Sequence, residues 1–319
     1  MNIEKTALLP VPAAEAFALI TQPDRLRRWL AVSARIDLRA GGEFRWTLTP
    51  MAVATGTVLE VDPGRRIVLG FAFEAEARTD TLTITIEPTA GGTLVRLVHE
   101  GLPEDHADGV LEGWTHFFGR LEHAAATGDA GPDEWAATPA ELNALTSANA
   151  TLAVLQHVLR GIGDDDLALP TPCTDFTVGQ LEAHLLGSLT SLTGLAGGTL
   201  IPTTADDLES RIADAGQQSL EIWMTRGIEG VVQAGPEELP ATLAAGILSV
   251  EFLVHAWDFA SATGREVVVS EDVAAFVLGL AVQIITPELR ETAGFAAAIA
   301  ISDTASALDR LLAFSGRTP

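Results

Sequence analysis

A change of hydrophobic period near residue 130 constrains the fold of this chain more than any other feature. Before that point, four runs alternate apolar with polar residues or are rich in β-branched residues, which is typical of strands. They are ATGTVLEVD (54–62), RIVLGFAFE (66–74), TLTITIEP (81–88) and TLVRLVHE (93–100). After it, apolar residues recur at helical spacing. Because 319 residues are too many for one comfortable core, we predict two domains.

The first half predicts an α+β domain in which an antiparallel sheet wraps around a long helix. Turn signals such as Gly91-Gly92 separate the strands, and their meander-like spacing favours antiparallel pairing. A helical stretch at 12–30 precedes these strands and a longer one at 104–126 follows them. A curved sheet around a terminal helix would enclose a hydrophobic cavity. The aromatic candidates to line this cavity are Trp46, Phe71, Phe73, Trp114 and Phe117.

The histidines of this half show no matched acid or nucleophile in the sequence. We therefore expect them at the surface or at the rim of the cavity, without a role as a general base. They are His99, His106, His116 and His123.

The second half predicts an all-α bundle, joined to the first by a small, turn-rich linker at 128–137. Residues 138–141, Thr-Pro-Ala-Glu, have the form of a capping box with proline at the first helical position, and Thr177 with Gln180 repeats the capping pattern. Helices are expected from this box to about 161, then at 178–196, 205–226, 241–263, from 271 onward and at 304–315. Helices without clear strands favour an antiparallel arrangement.

One stretch of the fourth predicted helix, SVEFLVHAWD (249–258), carries three ionisable residues in an apolar run. Glu251 and His255 are four apart, so they share a helix face, and Asp258 continues the same stripe. A buried carboxylate costs several kcal/mol unless it is paired. Residues 131–319 hold seven arginines, none of them within this helix, so a divalent metal is the partner that we predict.

A metal would need a further ligand from another helix, and His184 lies on the inward stripe of the second predicted helix. His184, Glu251 and His255 would then form a His₂Glu set that leaves one position open, as in catalytic zinc sites. Asp258 is expected to accept a hydrogen bond from a ligand histidine or to assist catalysis, the alternative being that it caps local backbone or reaches solvent. The alternative for each histidine is an ordinary packed core residue. Cys173 is expected to be a packed small residue, the alternative being a thiol activated by the following helix.

Composition and charge indicate which partners and which cellular compartment to expect. The net charge is −24, and 131–319 carry 25 acids against seven bases, so nucleic acid and anionic membranes are not expected partners. We expect no signal peptide and no membrane span. The single cysteine, Cys173, rules out an internal disulfide and fits a reducing cytoplasm. The preference for arginine over Lys5, the one lysine, is typical of a GC-rich, bacterial genome.

Three motifs of the second half together resemble a known family. PTPCTDFTVGQLEAHLLG (170–187), SVEFLVHAWDFASATGR (249–265) and ALDRLLAFSGRTP (307–319) are similar to the mycothiol-dependent maleylpyruvate isomerase N-terminal family. That family belongs to the DinB-like metal-binding four-helix bundles, and the resemblance covers 138–319. It implies that His184, Glu251 and His255 are the metal triad, usually for zinc, and that mycothiol is a co-substrate. The isomerase itself has an additional C-terminal domain that contributes to its active site.

The first half resembles the START-like, or SRPBCC, helix-grip domains, in the branch of the heat-shock ATPase activator homologues. The resemblance rests on VPAAEAFALITQPDRLRRWL, GGEFRWT, GTVLEVDPGRRIVLGF and GGTLVRLVHEGLP, and it covers 1–127.

From these observations we expect a metal-dependent enzyme that uses a low-molecular-weight thiol, as a transferase or an isomerase, on a small-molecule substrate. The alternatives are a non-catalytic small-molecule-binding or stress-response protein with a structural or vestigial metal site, and a hydrolase that uses metal-bound water. A homodimer is compatible with the sequence.

Overall fold

The computed structural model describes residues 1–74, 76, 78–173, 176–293 and 295–319, with the backbone alone at 291–293. The chain divides into two compact units, Met1–Asp133 and Glu134–Pro319. The first combines an antiparallel sheet with helices and the second is mainly helical, so the predicted change of architecture is confirmed.

A seven-stranded antiparallel sheet forms the N-terminal unit, in the order β1-β7-β6-β5-β4-β3-β2. Its strands are β1 Asn2–Leu9, β2 Ser33–Ile36, β3 Glu43–Thr49, β4 Ala52–Asp62, β5 Arg66–Phe73, β6 Asp80–Thr89 and β7 Gly92–Glu100. Strands β2 to β7 form a meander, and β1 pairs with β7 along its whole length. The sequence pattern predicted only the last four strands. Strand β1 was missed because Lys5 on the inward face and Leu8 on the outward face interrupt its alternation.

The helices of this unit are α1 Ala13–Thr21, α2 Pro23–Leu26 and α3 Glu104–Thr127. The continuous helix predicted at 12–30 is wrong, because the chain is extended at Gln22, with φ −89° and ψ 129°. A residue before proline is pushed out of the helical region, and Pro23 therefore starts a new, short helix. Helix α3 has the predicted length, ends at Gly128 with φ 90°, and packs on β1.

The five aromatic residues proposed to line a cavity lie in the core of this unit. Trp114 contacts Phe71 and Phe117, with ring centroids 6.4 and 6.5 Å apart, and Phe71 meets Phe73 at 5.3 Å. Of the five residues, all except Phe73 are buried. Trp46 lies beside Phe44. A surface pocket of about 530 Å³ on this unit is lined by residues between 35 and 43, none of which belongs to the five. The lining of a ligand cavity by these rings stays a prediction.

The expectation that His99 lies at the surface or at a rim is wrong. Alternation along β6 buries Asp80 together with Leu82, and alternation along β7 buries His99. His99 Nε2 lies 3.4 Å from Asp80 Oδ2, and the Trp114 indole N–H donates to His99 Nδ1 at 3.1 Å. Arg78 donates two hydrogen bonds to Asp80, of 2.8 and 3.0 Å. The core thus contains a buried acid–histidine pair.

Two other histidines also have acid partners that the sequence did not reveal. His116 Nε2 lies 2.9 Å from Asp133 Oδ1, and His106 Nδ1 lies 3.8 Å from Glu76 Oε1. Asp133 lies in the predicted linker and Glu76 follows a turn. Neither carboxylate shares a helix or strand with its histidine, so the spacing in the sequence does not connect them.

The C-terminal unit is built mainly from helices. They are α4 Glu134–Ala137, α5 Ala144–Leu159, α6 Val178–Leu195, α7 Leu208–Arg226, α8 Ala241–Thr263, α9 Glu271–Ile284, α10 Pro287–Ala293 and α11 Ala307–Phe314. Helix α8 packs against α5, α6 and α9, while α7 packs against α5 and α6, and α11 packs on α9. Gly216 permits a close approach within this packing, since a Cβ there would lie 2.9 Å from Leu152 Cδ1.

Caps define several helix ends of this unit. Thr177 and Gln180 form the predicted capping box at α6, and Gly264, with φ 67°, ends α8 as predicted. The capping box predicted at 138–141 is wrong. Helix α5 begins later, because the Asn143 side chain accepts from two backbone N–H groups and Thr146 Oγ1 accepts from the Asn143 N–H.

The expectation of no strands in this half is also wrong. A two-stranded hairpin, β8 Val231–Ala234 with β9 Glu237–Pro240, precedes α8 and turns at Gly235, where φ is 66°. Strands of this length carry too few residues to show a period.

Helix α8 is long and apolar enough to cross a membrane, but 78% of its most apolar window is buried inside the protein. The core helix of a water-soluble domain has the same properties, so its hydropathy is weak support for a membrane span.

The buried histidine should make stability depend on pH. Burial lowers the pKa of His99 below its ordinary value of 6.5, and Asp80 only partly opposes the shift. The unfolded chain therefore binds more protons just below pH 6.5, so His99 contributes full stability above that pH and loses it as the pH falls. In His99→Gln, which cannot titrate, this loss should be absent. Denaturant unfolding of both proteins between pH 5 and 8 measures it, and a constant difference in free energy of unfolding over that range would contradict the expectation.

Candidate metal centre

Helix α8 presents its ionisable residues on one face, toward the interior of the unit. Glu251, His255 and Asp258 follow at helical spacing, and their side chains are 14%, 7% and 0% exposed. The helix can bury them because its other faces are apolar, with Phe252, Leu253 and their neighbours in the core.

Helix α6 brings His184 to the same place. The Thr177 capping box fixes where α6 begins, and the His184 ring stacks on Phe176 with centroids 5.0 Å apart. The His184 side chain is 38% exposed, so it forms the outer edge of the cluster.

The structure brings the three predicted ligands together. One ligand atom from each of His184, Glu251 and His255 lies within 4.8 Å of the others. Glu251 Oε2 is 3.5 Å from His255 Nε2 and 3.9 Å from His184 Nε2. Two helices therefore place two imidazoles and one carboxylate around a common point.

Glu251 Oε2 is buried and has no hydrogen-bond partner among the residues that the structure describes. An orphaned buried carboxylate oxygen is costly, and two imidazole nitrogens beside it form a donor set that suits a divalent cation. The residues present thus fit the metal that the sequence predicts.

Asp258 connects one of these imidazoles to the end of the chain. His255 Nδ1 donates to Asp258 Oδ2 at 2.9 Å, which leaves His255 Nε2 directed at Glu251. Arg317 donates to the same carboxylate, from Nε to Oδ1 at 3.0 Å and from Nη2 to Oδ2 at 2.7 Å. The metal that the sequence predicts as the partner of the buried carboxylates is therefore not needed for Asp258, because an arginine from 59 residues further along the chain pairs with it.

The cluster shifts the pKa values of its members strongly. Burial disfavours the His255 imidazolium, but the hydrogen bond to Asp258 and the nearby negative charge of Glu251 outweigh it and raise the pKa of His255 to about 9. Burial also opposes the charged forms of Glu251 and Asp258, yet neighbouring cations lower the pKa of both carboxyls. For His184, burial prevails and lowers the pKa. A metal ion at this site would thus contact an ionised Glu251 carboxylate and a neutral His184 imidazole, and its binding would displace one proton from His255.

A pocket of about 480 Å³ opens beside this cluster. Its lining combines the ligand candidates His184 and Glu251 with small or apolar residues of α6 and α8, namely Ala183, Gly187, Ser188, Ser191, Leu192 and Ile247. Ser188 also stabilises the ionised form of Glu251 through a hydrogen bond. The two serines were not singled out from the sequence, although both lie at helical spacing from His184.

Cys173 lies outside the ligand set, as expected. It is partly buried, and its carbonyl oxygen accepts from Thr171 Oγ1 at 2.9 Å and from the Phe176 N–H at 2.9 Å. Residues 174 and 175 of the same motif lie outside the described residues.

Fold and site together define a two-domain protein, with an α+β domain followed by a helical domain that carries a His/Glu cluster suited to a metal. The resemblances of the two halves are confirmed by family models. Residues 10–126 match the model described as Activator of Hsp90 ATPase homolog 1-like protein, and residues 148–283 match the Mycothiol maleylpyruvate isomerase N-terminal domain.

Curated relatives come from Mycobacterium tuberculosis. The uncharacterized proteins MT0763 (strain CDC 1551 / Oshkosh) and Rv0738 (strain ATCC 25618 / H37Rv) are each 27% identical to this chain over 164 residues, covering 50% of the chain and 90% of the relative.

Solved structures similar to this chain cover about 40% of it. DynU16, from the dynemicin biosynthetic locus, shows 20% identity and a TM-score of 0.37, and the match spans 48% of its length. CalU16 from Micromonospora echinospora shows 24% identity, a TM-score of 0.34 and 76% coverage of its chain. The Aha1 dimer from Colwellia psychrerythraea shows 17% identity, a TM-score of 0.37 and 98% coverage.

Loss of one imidazole should empty the metal centre. In His184→Ala, zinc content after loading and desalting should fall from about one ion per chain to near zero, because two protein ligands hold zinc much less tightly than three. Elemental analysis measures this. The partly exposed position of His184 lets the variant fold, and His123→Ala, at an exposed histidine of the other unit, is the matched control. Full zinc retention in His184→Ala would remove this residue from the ligand set.

Proposed function

We propose that this protein is a metal-dependent enzyme that uses a low-molecular-weight thiol, such as mycothiol, as co-substrate in a transferase or isomerase reaction. The observation that supports it best is the orphaned Glu251 Oε2 between His184 Nε2 and His255 Nε2, at the edge of a pocket. The match of residues 148–283 to the mycothiol maleylpyruvate isomerase N-terminal domain agrees with this chemistry.

The metal that we propose is zinc, held by His184, Glu251 and His255 in a DinB-like four-helix bundle built from α5 to α8. A structural zinc site normally has four protein ligands, whereas this cluster offers three, which favours a position open to an exogenous group. When bound, such a cation lowers the pKa of a thiol that reaches it and supplies thiolate at neutral pH.

The protein residues around that position have separate tasks. Ala183 and Gly187 keep the pocket wide next to the ligands, and the hydroxyls of Ser188 and Ser191 offer hydrogen bonds to a polar thiol. Asp258 holds the His255 ring with Nε2 toward the metal position, because it accepts a hydrogen bond from the N–H at Nδ1.

The N-terminal domain, assigned to 1–127 with a linker at 128–137, is proposed to hold an apolar or aromatic small molecule. Its match to the activator of Hsp90 ATPase homolog 1-like family supports a ligand-binding role. We place the protein in the cytoplasm, where a reducing environment keeps both the co-substrate and Cys173 as thiols.

Removal of the metal should abolish thiol transfer without unfolding the helices. The assay is conjugation of mycothiol to monochlorobimane by the zinc-loaded full chain, with cysteine as the comparison thiol. A chelator should reduce the rate to the uncatalysed level, and one equivalent of zinc should restore it, while helical circular dichroism stays largely unchanged, because the apolar faces of α5 and α8 already form a core.

Two outcomes would favour a different function. Unfolding of the helical unit on chelation would indicate a structural metal, since structural sites contribute folding free energy directly. Binding of zinc without any thiol-dependent activity would favour a non-catalytic binding protein.

Glu251→Gln keeps the size of the side chain but removes its charge, so it should lose both zinc and activity.

A further inference from the structure

The residue that holds Asp258 in place comes from the last few positions of the chain. Asp258 is completely buried, and its Oδ2 accepts from both His255 Nδ1 at 2.9 Å and Arg317 Nη2 at 2.7 Å. Its Oδ1 accepts from Arg317 Nε at 3.0 Å. The guanidinium therefore binds both carboxylate oxygens, which fixes the plane of the carboxylate as well as its position.

A helix cap aims Arg317 at this carboxylate. The Arg317 N–H donates to Leu312 O at 2.9 Å and the Gly316 N–H donates to Ala313 O at 3.1 Å, which is the hydrogen-bond pattern of a Schellman motif at the end of α11. Gly316 takes the left-handed conformation that the motif requires, with φ 88°. The Arg317 side chain is then only 11% exposed, and its Nη1 also donates to Ser315 O at 3.3 Å.

Space at the cap is as restricted as its backbone conformation. A Cβ on Gly316 would lie 2.7 Å from Ala296 Cβ and 2.9 Å from Ala296 O. Any side chain at this position would thus displace the turn that carries Arg317.

We propose that Arg317 is a positioning residue for the metal ligand His255, acting through Asp258. The inference rests on the proposed metal-binding function. A histidine that binds metal through one nitrogen depends on the hydrogen bond at its other nitrogen for ring orientation, and that hydrogen bond depends here on a carboxylate that Arg317 holds. The segment 315–317 therefore belongs to the metal centre, although it provides no ligand.

Charge alone predicts the opposite effect of removing Arg317. A guanidinium near a bound dication repels it, so its loss should tighten metal binding if Arg317 acted only through its charge. If Arg317 only fastened α11 to the unit, its loss should lower thermal stability and leave metal affinity unchanged. A positioning role predicts weaker metal binding, which distinguishes it from both.

The test is the zinc affinity of the full chain, measured by competition with a chromophoric chelator. Arg317→Ala should bind zinc about 10- to 100-fold more weakly than the parent, the usual effect of losing a partner of a ligand histidine. Arg317→Lys should recover part of this loss, because one ammonium can hold one oxygen. Arg310→Ala is the control, since it removes an exposed arginine from the same helix and should change affinity by less than about twofold.

A second measurement keeps the inference testable if Arg317→Ala fails to fold. In zinc-loaded protein with ¹⁵N-labelled histidine, the Nδ1 proton of His255 should give a slowly exchanging resonance in the parent. This resonance should move or exchange faster in Arg317→Lys and in Gly316→Ala, which displaces the cap.

The outcomes separate this inference from the function on which it rests. A parent chain that binds no zinc would overturn both. A parent that binds zinc, together with an Arg317→Ala variant of equal or higher zinc affinity or an unchanged His255 resonance in the milder variants, would overturn the positioning role alone.

Discussion

The burial of carboxylates on helix α8 is the constraint on which the rest of the C-terminal unit depends. An apolar helix at the centre of the unit gains stability from every neighbour that excludes water, but each ionised side chain on it must then find a counter-charge. The chain itself provides one for Asp258, through Arg317 and His255. For Glu251 it provides two imidazoles, and one carboxylate oxygen is left without a hydrogen bond. The two carboxylates of this helix therefore differ. Asp258 has its counter-charge within the described chain, whereas Glu251 requires a cation.

The N-terminal unit meets the same physical problem with a different solution. Asp80 is buried in a strand and not in a helix, and Arg78, two residues before it, supplies two hydrogen bonds. His99 from the neighbouring strand stays neutral because burial lowers its pKa, so Arg78 is the main counter-charge of Asp80. The contrast shows why the presence of a buried acid and histidine does not by itself indicate a metal. What distinguishes the α8 cluster is that one ligand atom from each of two histidines and one glutamate lies within 4.8 Å of the others.

Local pattern predicted those parts of the structure that depend on neighbours in sequence. The bounds of α8, the Thr177 cap and the shared face of Glu251 and His255 all follow from helical spacing and capping residues. The stripe on α6 brought His184 to the cluster, but the inward position predicted for it is wrong, because its side chain is 38% exposed. Arg317 could not be predicted in this way, since nothing within 59 residues of sequence connects it to Asp258. The wrong expectation for His99 has a different cause. The alternation of residues along β7 already indicated that the His99 side chain faces the core.

The capped end of α11 has a practical consequence for anyone who prepares this protein. Arg317 is two residues from Pro319, so a polyhistidine extension fused directly after Pro319 would place a flexible string of imidazoles beside the centre. Those imidazoles would compete with His184 for the same cation. Preparations that carry the extension at opposite termini are therefore not interchangeable samples, and metal contents measured on them describe two chemically different molecules.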